Sequence, residues 1–281
     1  MKKPLVKVDV VDASSKNSKN NSRRKFIKLS GLGIAGSSFL LYGCSEDDMF
    51  DPGAPTGSPD PMEPEEPEEP ENPEPEVFDL GPGNLGILNY AYALEQLEAA
   101  FYTEMTEGAY YQGLADDSEE KQILEDTWYH EVIHREFFRS AIGTATEATP
   151  EAMLPDIEFD FSSVDFDSRD AVLGTALVLE DTGVSAYNGA GNLIDVDAEL
   201  GDVYLGLAGK IVSVEARHAS AFADLINPDT DAFARDEVLV SIDGVGPAFD
   251  KATDPADVLT AVVGTGFVVT EFTATELPME Q

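Results

Sequence analysis

One pattern occurs twice in this chain of 281 residues. The first copy is Leu94-Glu95 with Tyr102, then Glu131-Val132-Ile133-His134, and the second is Leu179-Glu180 with Tyr187, then Glu215-Ala216-Arg217-His218. Each reads L-E-x6-Y followed by E-x-x-H. Within a copy the glutamates stand 36 residues apart (Glu95 to Glu131) or 35 apart (Glu180 to Glu215), the length of two helices and a short turn. The pattern therefore predicts a duplicated helical hairpin. On a helix, E-x-x-H puts Glu and His at i, i+3 on one face, and a Glu and Tyr at i, i+7 differ by only about 20° of rotation, so all eight side chains can point inward. Four carboxylates and two imidazoles then converge in one bundle core.

Four buried negative charges cannot stand alone, because each would cost many kcal/mol without a compensating cation. Two divalent metal ions satisfy the requirement. A Glu from each of two helices and Glu-x-x-His from each of two others is the inward-facing set of di-iron and di-manganese carboxylate bundles. Mixed carboxylate and imidazole ligation suits iron or manganese, whereas thiolates would point elsewhere.

At these residues the chain resembles the ferritin-like superfamily, and most closely the secreted ferritin-like domain proteins related to rubrerythrins and plant desiccation-related proteins. The resemblance rests on residues 88–102 (LNYAYALEQLEAAFY), on the two E-x-x-H segments and on residues 179–187 (LEDTGVSAY), and covers roughly residues 80 to 228. It implies that Glu95, Glu131, His134, Glu180, Glu215 and His218 ligate two iron ions, or manganese or a mixed pair. Glu98 lies one turn from Glu95 on the same face and is counted with the metal-binding carboxylates, as a ligand or an extra group. Its counterpart in the second copy is Gly183, so the repeat favours Glu95 as the ligand of that helix. Tyr102 and Tyr187 match tyrosines that lie near the metals in related bundles, where they hydrogen-bond a ligand or are oxidised; the plainer alternative is that they fill the core.

A competing motif overlaps the first copy. His130-Glu131-Val132-Ile133-His134 reads H-E-x-x-H, in which both histidines bind zinc and the glutamate is a catalytic base. No metzincin continuation follows His134, although a later glutamate could complete such a site. The second copy has Val214 where the first has His130, so the shared element is E-x-x-H. His130 is accordingly expected beside the ligands or on the surface.

The N-terminal region carries routing signals. Arg23-Arg24-Lys25-Phe26-Ile27-Lys28 precedes a short Gly-rich apolar stretch, residues 29–43, which resembles a twin-arginine export signal. That stretch is shorter than the ~20 residues a membrane-spanning helix needs. Leu41-Tyr42-Gly43 before the single cysteine, Cys44, resembles a lipobox, with Tyr42 an unusual residue there. The expectation is export by the twin-arginine route followed by lipid anchoring through Cys44, on a periplasmic or cell-surface membrane face. One cysteine makes no intramolecular disulfide, so packing alone must stabilise the fold.

After Cys44, residues 44–78 read as an acidic, Pro-rich linker with too little apolar surface to fold. Residues 1–43 hold nine of the 17 basic and two of the 55 acidic residues, so a chain starting at Cys44 keeps 8 against 53, near −45. Nucleic-acid binding through clustered Lys or Arg is therefore excluded as a reading.

Helix signals predict A at 84–107, B at 118–142, C at 169–192 and D at 199–226, with Ser118 and Ser168 as N-caps. The connection from B to C, about 25 residues, is the only long one in the bundle. An all-α, antiparallel four-helix bundle with one long crossover, residues 79–228, is the architecture this spacing and the resemblance imply. Residues 229–281 are expected to add a short helix, starting at Asp254-Pro255, that packs on the bundle end or contacts another chain. The functional expectation is an exported dimetal oxidoreductase acting on dioxygen, peroxide or ferrous ion. The alternative from another class is a non-catalytic envelope or stress-protective bundle.

Overall fold

The computed structural model describes residues 77–279 apart from Asp243. Arg23, Arg24 and Cys44, with most of the acidic linker, lie outside the described residues. The main elements in order are β1 (Phe78–Asp79), α1 (Gly83–Met105), α2 (Ala109–Gly113), α3 (Glu119–Ala145), α4 (Arg169–Gly191), α5 (Gly201–Ile226), β2 (Leu239–Ile242), β3 (Val245–Asp250), α6 (Pro255–Gly264) and β4 (Phe272–Thr273). The fold is mostly helical, an all-α bundle with small strands at its periphery. None of the described helices is long and apolar enough to cross a membrane.

The four long helices form the bundle. Helix α1 pairs with α3 and α4 with α5, while α1 also meets α4 and α3 meets α5. Ser118 accepts a hydrogen bond from the backbone N–H of Lys121 and Ser168 one from Ala171, so both expected caps satisfy first-turn donors of α3 and α4. Acidic residues in the same turns, Glu119 with Glu120 and Asp170, complement the positive ends of the helix dipoles. Side chains such as Leu97, Phe101, Leu124, Leu173 and Phe222 are almost fully buried. Each contributes about 1.5–3 kcal/mol through burial.

Helix α1 is buried on nearly every side. Its inner face looks into the bundle, and its outer face is covered by the α3–α4 crossover. Two buried amides fasten that crossover: Asn89 donates to the carbonyls of Leu80 and Ala152 and accepts from Leu154 N–H, and Gln96 accepts from Ile157 N–H. The chain after α6 grips the other edge of the crossover, with Asp160 N–H donating to Phe267 and Val269 N–H to Glu158.

The C-terminal region holds the expected short helix and adds small strands to it. Helix α6 is present, capped by Asp254 and with Pro255 in its first turn, as the sequence predicts. It lies on the flank of the bundle against α4 rather than on its end. Gly189 permits the approach of the preceding segment, since a Cβ there would sit 1.9 Å from the Thr253 carbonyl oxygen. Two strand pairs also form, an antiparallel hairpin β2–β3 and a parallel β1–β4 pair that joins the two ends of the described chain. Asp79 ties the latter by accepting from Thr273 and Thr275.

Candidate metal centre

Six of the sequence-predicted side chains meet midway along the bundle. Glu95 comes from α1, Glu131 and His134 from α3, Glu180 from α4, and Glu215 and His218 from α5. The four carboxylates are fully buried, at 0% exposure. Nδ1 of His134 lies 3.1 Å from Glu215, 3.3 Å from Glu131 and 3.3 Å from Glu95. Nδ1 of His218 lies 2.9 Å from Glu131, 3.1 Å from Glu180 and 3.6 Å from Glu215. The donors fall into two groups able to hold an ion: Glu95, Glu131, His134 and Glu215, and Glu131, Glu180, Glu215 and His218. Glu131 and Glu215 belong to both, while each group has its own Glu–His pair.

This arrangement has a local two-fold symmetry that follows from the sequence repeat. Exchanging α1 with α4 and α3 with α5 maps Glu95 onto Glu180, Glu131 onto Glu215 and His134 onto His218. The tyrosines obey the same exchange: Tyr102 donates to Oε1 of Glu180, and Tyr187 donates to Oε1 of Glu95. Both contacts run between α1 and α4, at residue pairs whose numbers change in opposite senses, so these helices are antiparallel.

The protein's own protons do not satisfy this cluster. Each imidazole Nδ1 carries at most one hydrogen and faces three carboxylates. Glu95 Oε2, Glu131 Oε1 and both oxygens of Glu215 are buried without a well-formed hydrogen bond. Of the six close approaches to imidazole nitrogen, only those of His134 to Glu131 Oε2 and of His218 to Glu180 Oε2 have hydrogen-bond geometry. A buried oxygen left in this way costs about 1–3 kcal/mol, more if charged. Ligands about 2.0–2.2 Å from a divalent ion stand about 2.8–3.6 Å from one another at octahedral or tetrahedral angles. The nitrogen-to-oxygen separations, 2.9–3.6 Å, are of that size. Each of the two groups could therefore hold a metal ion, and Glu131 and Glu215 are common to both.

Burial and neighbouring charge set the protonation of the metal-free cluster. Burial pushes the carboxyl of Glu95 up to about 8 against the opposing pull of His134, and it holds Glu98 and Glu180 well above the carboxylate range. Glu215 is also buried, yet the adjacent imidazoles of His134 and His218 hold it down at about 2. Burial alone would lower both imidazoles, but the surrounding carboxylates raise them instead. Metal binding would release the protons held here.

Glu98 is buried but belongs to neither group. Its carboxyl lies opposite Gly183, where an added Cβ would stand 3.1 Å from Glu98 Oε1 and 3.6 Å from Glu215 Oε2. The glycine that replaces Glu98 in the repeat thus makes the room Glu98 occupies. His130 also joins neither group. Its Nδ1 lies 2.8 Å from Nε2 of His218 and the two rings stack, with centroids 5.1 Å apart. A zinc site of the H-E-x-x-H type needs His130 and His134 on one ion, and the structure turns His130 to His218 instead. Nothing in the spacing of His130 and His218, 88 residues apart, announced this contact.

Residues 83–228, just over half of the chain, match the family model of the ferritin-like domain. The chain belongs to that ferritin-like domain family. A search of curated proteins finds no match.

Proposed function

We propose that this domain is a dimetal oxidoreductase of the ferritin-like class, binding two iron ions, with manganese or a mixed pair as the alternatives, and acting on dioxygen or peroxide in the oxidation of ferrous ion. One observation carries the reading: two shared and two unshared carboxylates, each unshared one beside an imidazole, leave buried oxygens that no proton in the protein satisfies. A bound pair of redox-active ions supplies the electrons for reducing dioxygen or peroxide.

The chain's own residues prepare the site for that chemistry. Glu131 and Glu215 each present two oxygens toward both halves of the centre. Tyr102 and Tyr187 occupy one oxygen of Glu180 and of Glu95, which leaves the other oxygen of each to face the imidazole. His218 directs Nδ1 at the carboxylates while His130 holds its Nε2, which fixes the ring and its tautomer. Apolar packing by Leu97, Leu179 and Phe222 keeps bulk water away and raises the strength of every charge interaction inside.

The same proposal places the domain outside the cytoplasm, routed by Arg23 and Arg24 and anchored to a membrane by lipid on Cys44, with the acidic segment as spacer. Export in the folded state would allow metal loading before translocation.

Elemental analysis of protein matured through its own export route tests the metal content, and oxygen consumption on adding ferrous ion tests the chemistry. Two ions per chain with oxygen uptake is the expected result. A chain that matures without iron, manganese or zinc would overturn it. Cys44→Ser should release the protein from the membrane fraction, and Arg23→Lys with Arg24→Lys should stop export of the folded protein.

A further inference from the structure

The two-fold symmetry of the centre is not kept by the core on either side of it. Beyond Tyr102 the core is filled: Phe101 packs edge-on to Tyr102, Phe222 stacks on it, and Phe161 and Phe166 close behind Phe101. Beyond Tyr187 lies a cavity of about 40 Å³ between all four long helices. The repeat explains the difference. Phe101, Met105 and Leu124, each fully buried, correspond under the symmetry to Ala186, Ala190 and Ala208, which line the cavity. Three large side chains on one side of the metal centre are replaced by three methyl groups on the other.

The cavity touches the centre through two residues. Leu94 precedes Glu95, and Tyr187 donates its hydroxyl to the Glu95 carboxylate. From these buried residues the lining passes to Tyr204 and Leu207, which are half-buried on the first turns of α5, so the cavity runs from the centre toward the bundle end. Its deep walls are almost entirely apolar. A water molecule needs roughly 10–15 Å³ on this measure together with two to four polar partners, and an apolar cavity that lacks those partners stays dry and takes up apolar guests such as xenon. The size here is adequate and the partners are missing. Tyr90 also lines the wall, but its hydroxyl is buried and presents almost no surface to a guest.

We propose that this cavity is a binding site for a small apolar molecule, namely dioxygen, held beside the Glu95 half of the metal centre. The identity of the guest rests on the oxygen chemistry proposed above, whereas the site itself rests on the cavity. The two repeats then differ in task. The Tyr102 side is solid and supports the centre, and the Tyr187 side admits the gas, so an oxidant reaches one of two otherwise equivalent positions first.

Crystals of the full chain pressurised with xenon test the site without reference to activity. Xenon density among Ala186, Ala190 and Tyr187 is expected, and its absence would overturn the proposal. Filling the cavity with the residues the other repeat uses, Ala190→Met together with Ala208→Leu, should abolish that density and raise the oxygen KM for ferrous oxidation roughly tenfold or more, the loss of about one decade of affinity. Ala208→Leu alone, at a half-buried position, should act in the same direction if the double variant does not fold. Variants that retain both metals and lose xenon while keeping the wild-type oxygen dependence would overturn the proposal as well. If the wild-type protein holds two ions and consumes no oxygen, the function proposed above fails, and xenon density alone then decides for or against the cavity as a gas site.

Discussion

Tyr102 on α1 donates its hydroxyl hydrogen to Glu180 on α4, and the reverse contact, Tyr187 to Glu95, repeats it across the local two-fold. Each bond joins two fully buried groups from different hairpins. Removing one hydroxyl leaves a buried carboxyl oxygen without its donor, a change that costs about 1–3 kcal/mol. Tyr102→Phe and Tyr187→Phe should therefore lower the unfolding free energy of the metal-free protein by that amount, and by similar amounts in the two halves. Chemical denaturation measures both. A Tyr187→Phe protein as stable as the parent would mean that its hydroxyl does not hold Glu95 in solution.

Glu95 and Glu98 stand one turn apart on α1, both buried, and the structure assigns them different surroundings. Glu95 shares a group with His134 and Glu215, while Glu98 lies over Gly183 and outside both groups. Glu95→Gln should reduce the metal content to about one ion per chain, because a neutral amide is a far weaker ligand for a hard divalent ion. Glu98→Gln should keep both. Elemental analysis of the two proteins reads the difference directly, and loss of metal in the Glu98 variant would make it a ligand.

The pH dependence of the metal-free protein follows from the same carboxyls. Glu95 titrates at about 8 in the folded protein against 4.5 for its ordinary value, so between those limits the folded form holds more protons than the unfolded chain. Stability must fall as pH rises through that window. Glu98 and Glu180 are displaced in the same direction by burial. His134 and His218 are raised by their carboxylate neighbours, so the stability they add is complete below their ordinary 6.5 and declines as pH climbs toward their raised values. Glu215 acts oppositely, its contribution being lost below 4.5, toward about 2, and so does His130, whose pKa is held below 6.5 by burial and the His218 charge, but these are outnumbered by the raised groups. Thermal melts at pH 5 and pH 8 should show the metal-free protein less stable at the higher pH, and added metal should raise the melting temperature more there. A metal-free protein that gains stability from pH 5 to pH 8 would contradict these protonation states.

The helices and the meeting of their inward side chains were legible because the signals are local and repeated. E-x-x-H and E-x6-Y define a face within one helix, and Ser118 and Ser168 mark starts that the backbone then adopts. Gly183 opposite Glu98 was visible as a break in the repeat, although only the structure shows that the glycine makes room for the carboxyl. The hairpin β2–β3 was not legible. Its strands are four and six residues long, too short for alternation to stand out, and Gly246-Pro247 interrupts the second. The β1–β4 pair has two residues on each side, brought together from opposite ends of the described chain by Asp79 and two threonines. Short α2 lies inside a connection where the pattern predicted only a turn.

His130 and His218 give the sharpest test of what the centre is. In a dimetal bundle His218 supplies a ligand nitrogen, Nδ1, and His130 accepts from its opposite nitrogen at 2.8 Å. Removing His218 takes away a ligand and leaves Glu180 and Glu215 short of a partner, so His218→Ala should lose at least one ion per chain. Removing His130 keeps every ligand but frees the His218 ring, which His130 orients. Loss of such a supporting contact commonly costs about 10–100-fold in metal affinity. His130→Ala should therefore retain two ions at saturating metal while one of them dissociates more readily on titration with a chelator. His134 has no equivalent imidazole partner among the described residues, so the weakened ion should be the one beside Glu180. An H-E-x-x-H zinc site predicts the opposite order, with His130 indispensable and His218 irrelevant. Metal stoichiometry and chelator competition on the two variants distinguish the cases, and a His130 variant without metal beside a fully loaded His218 variant would overturn the assignment of the centre.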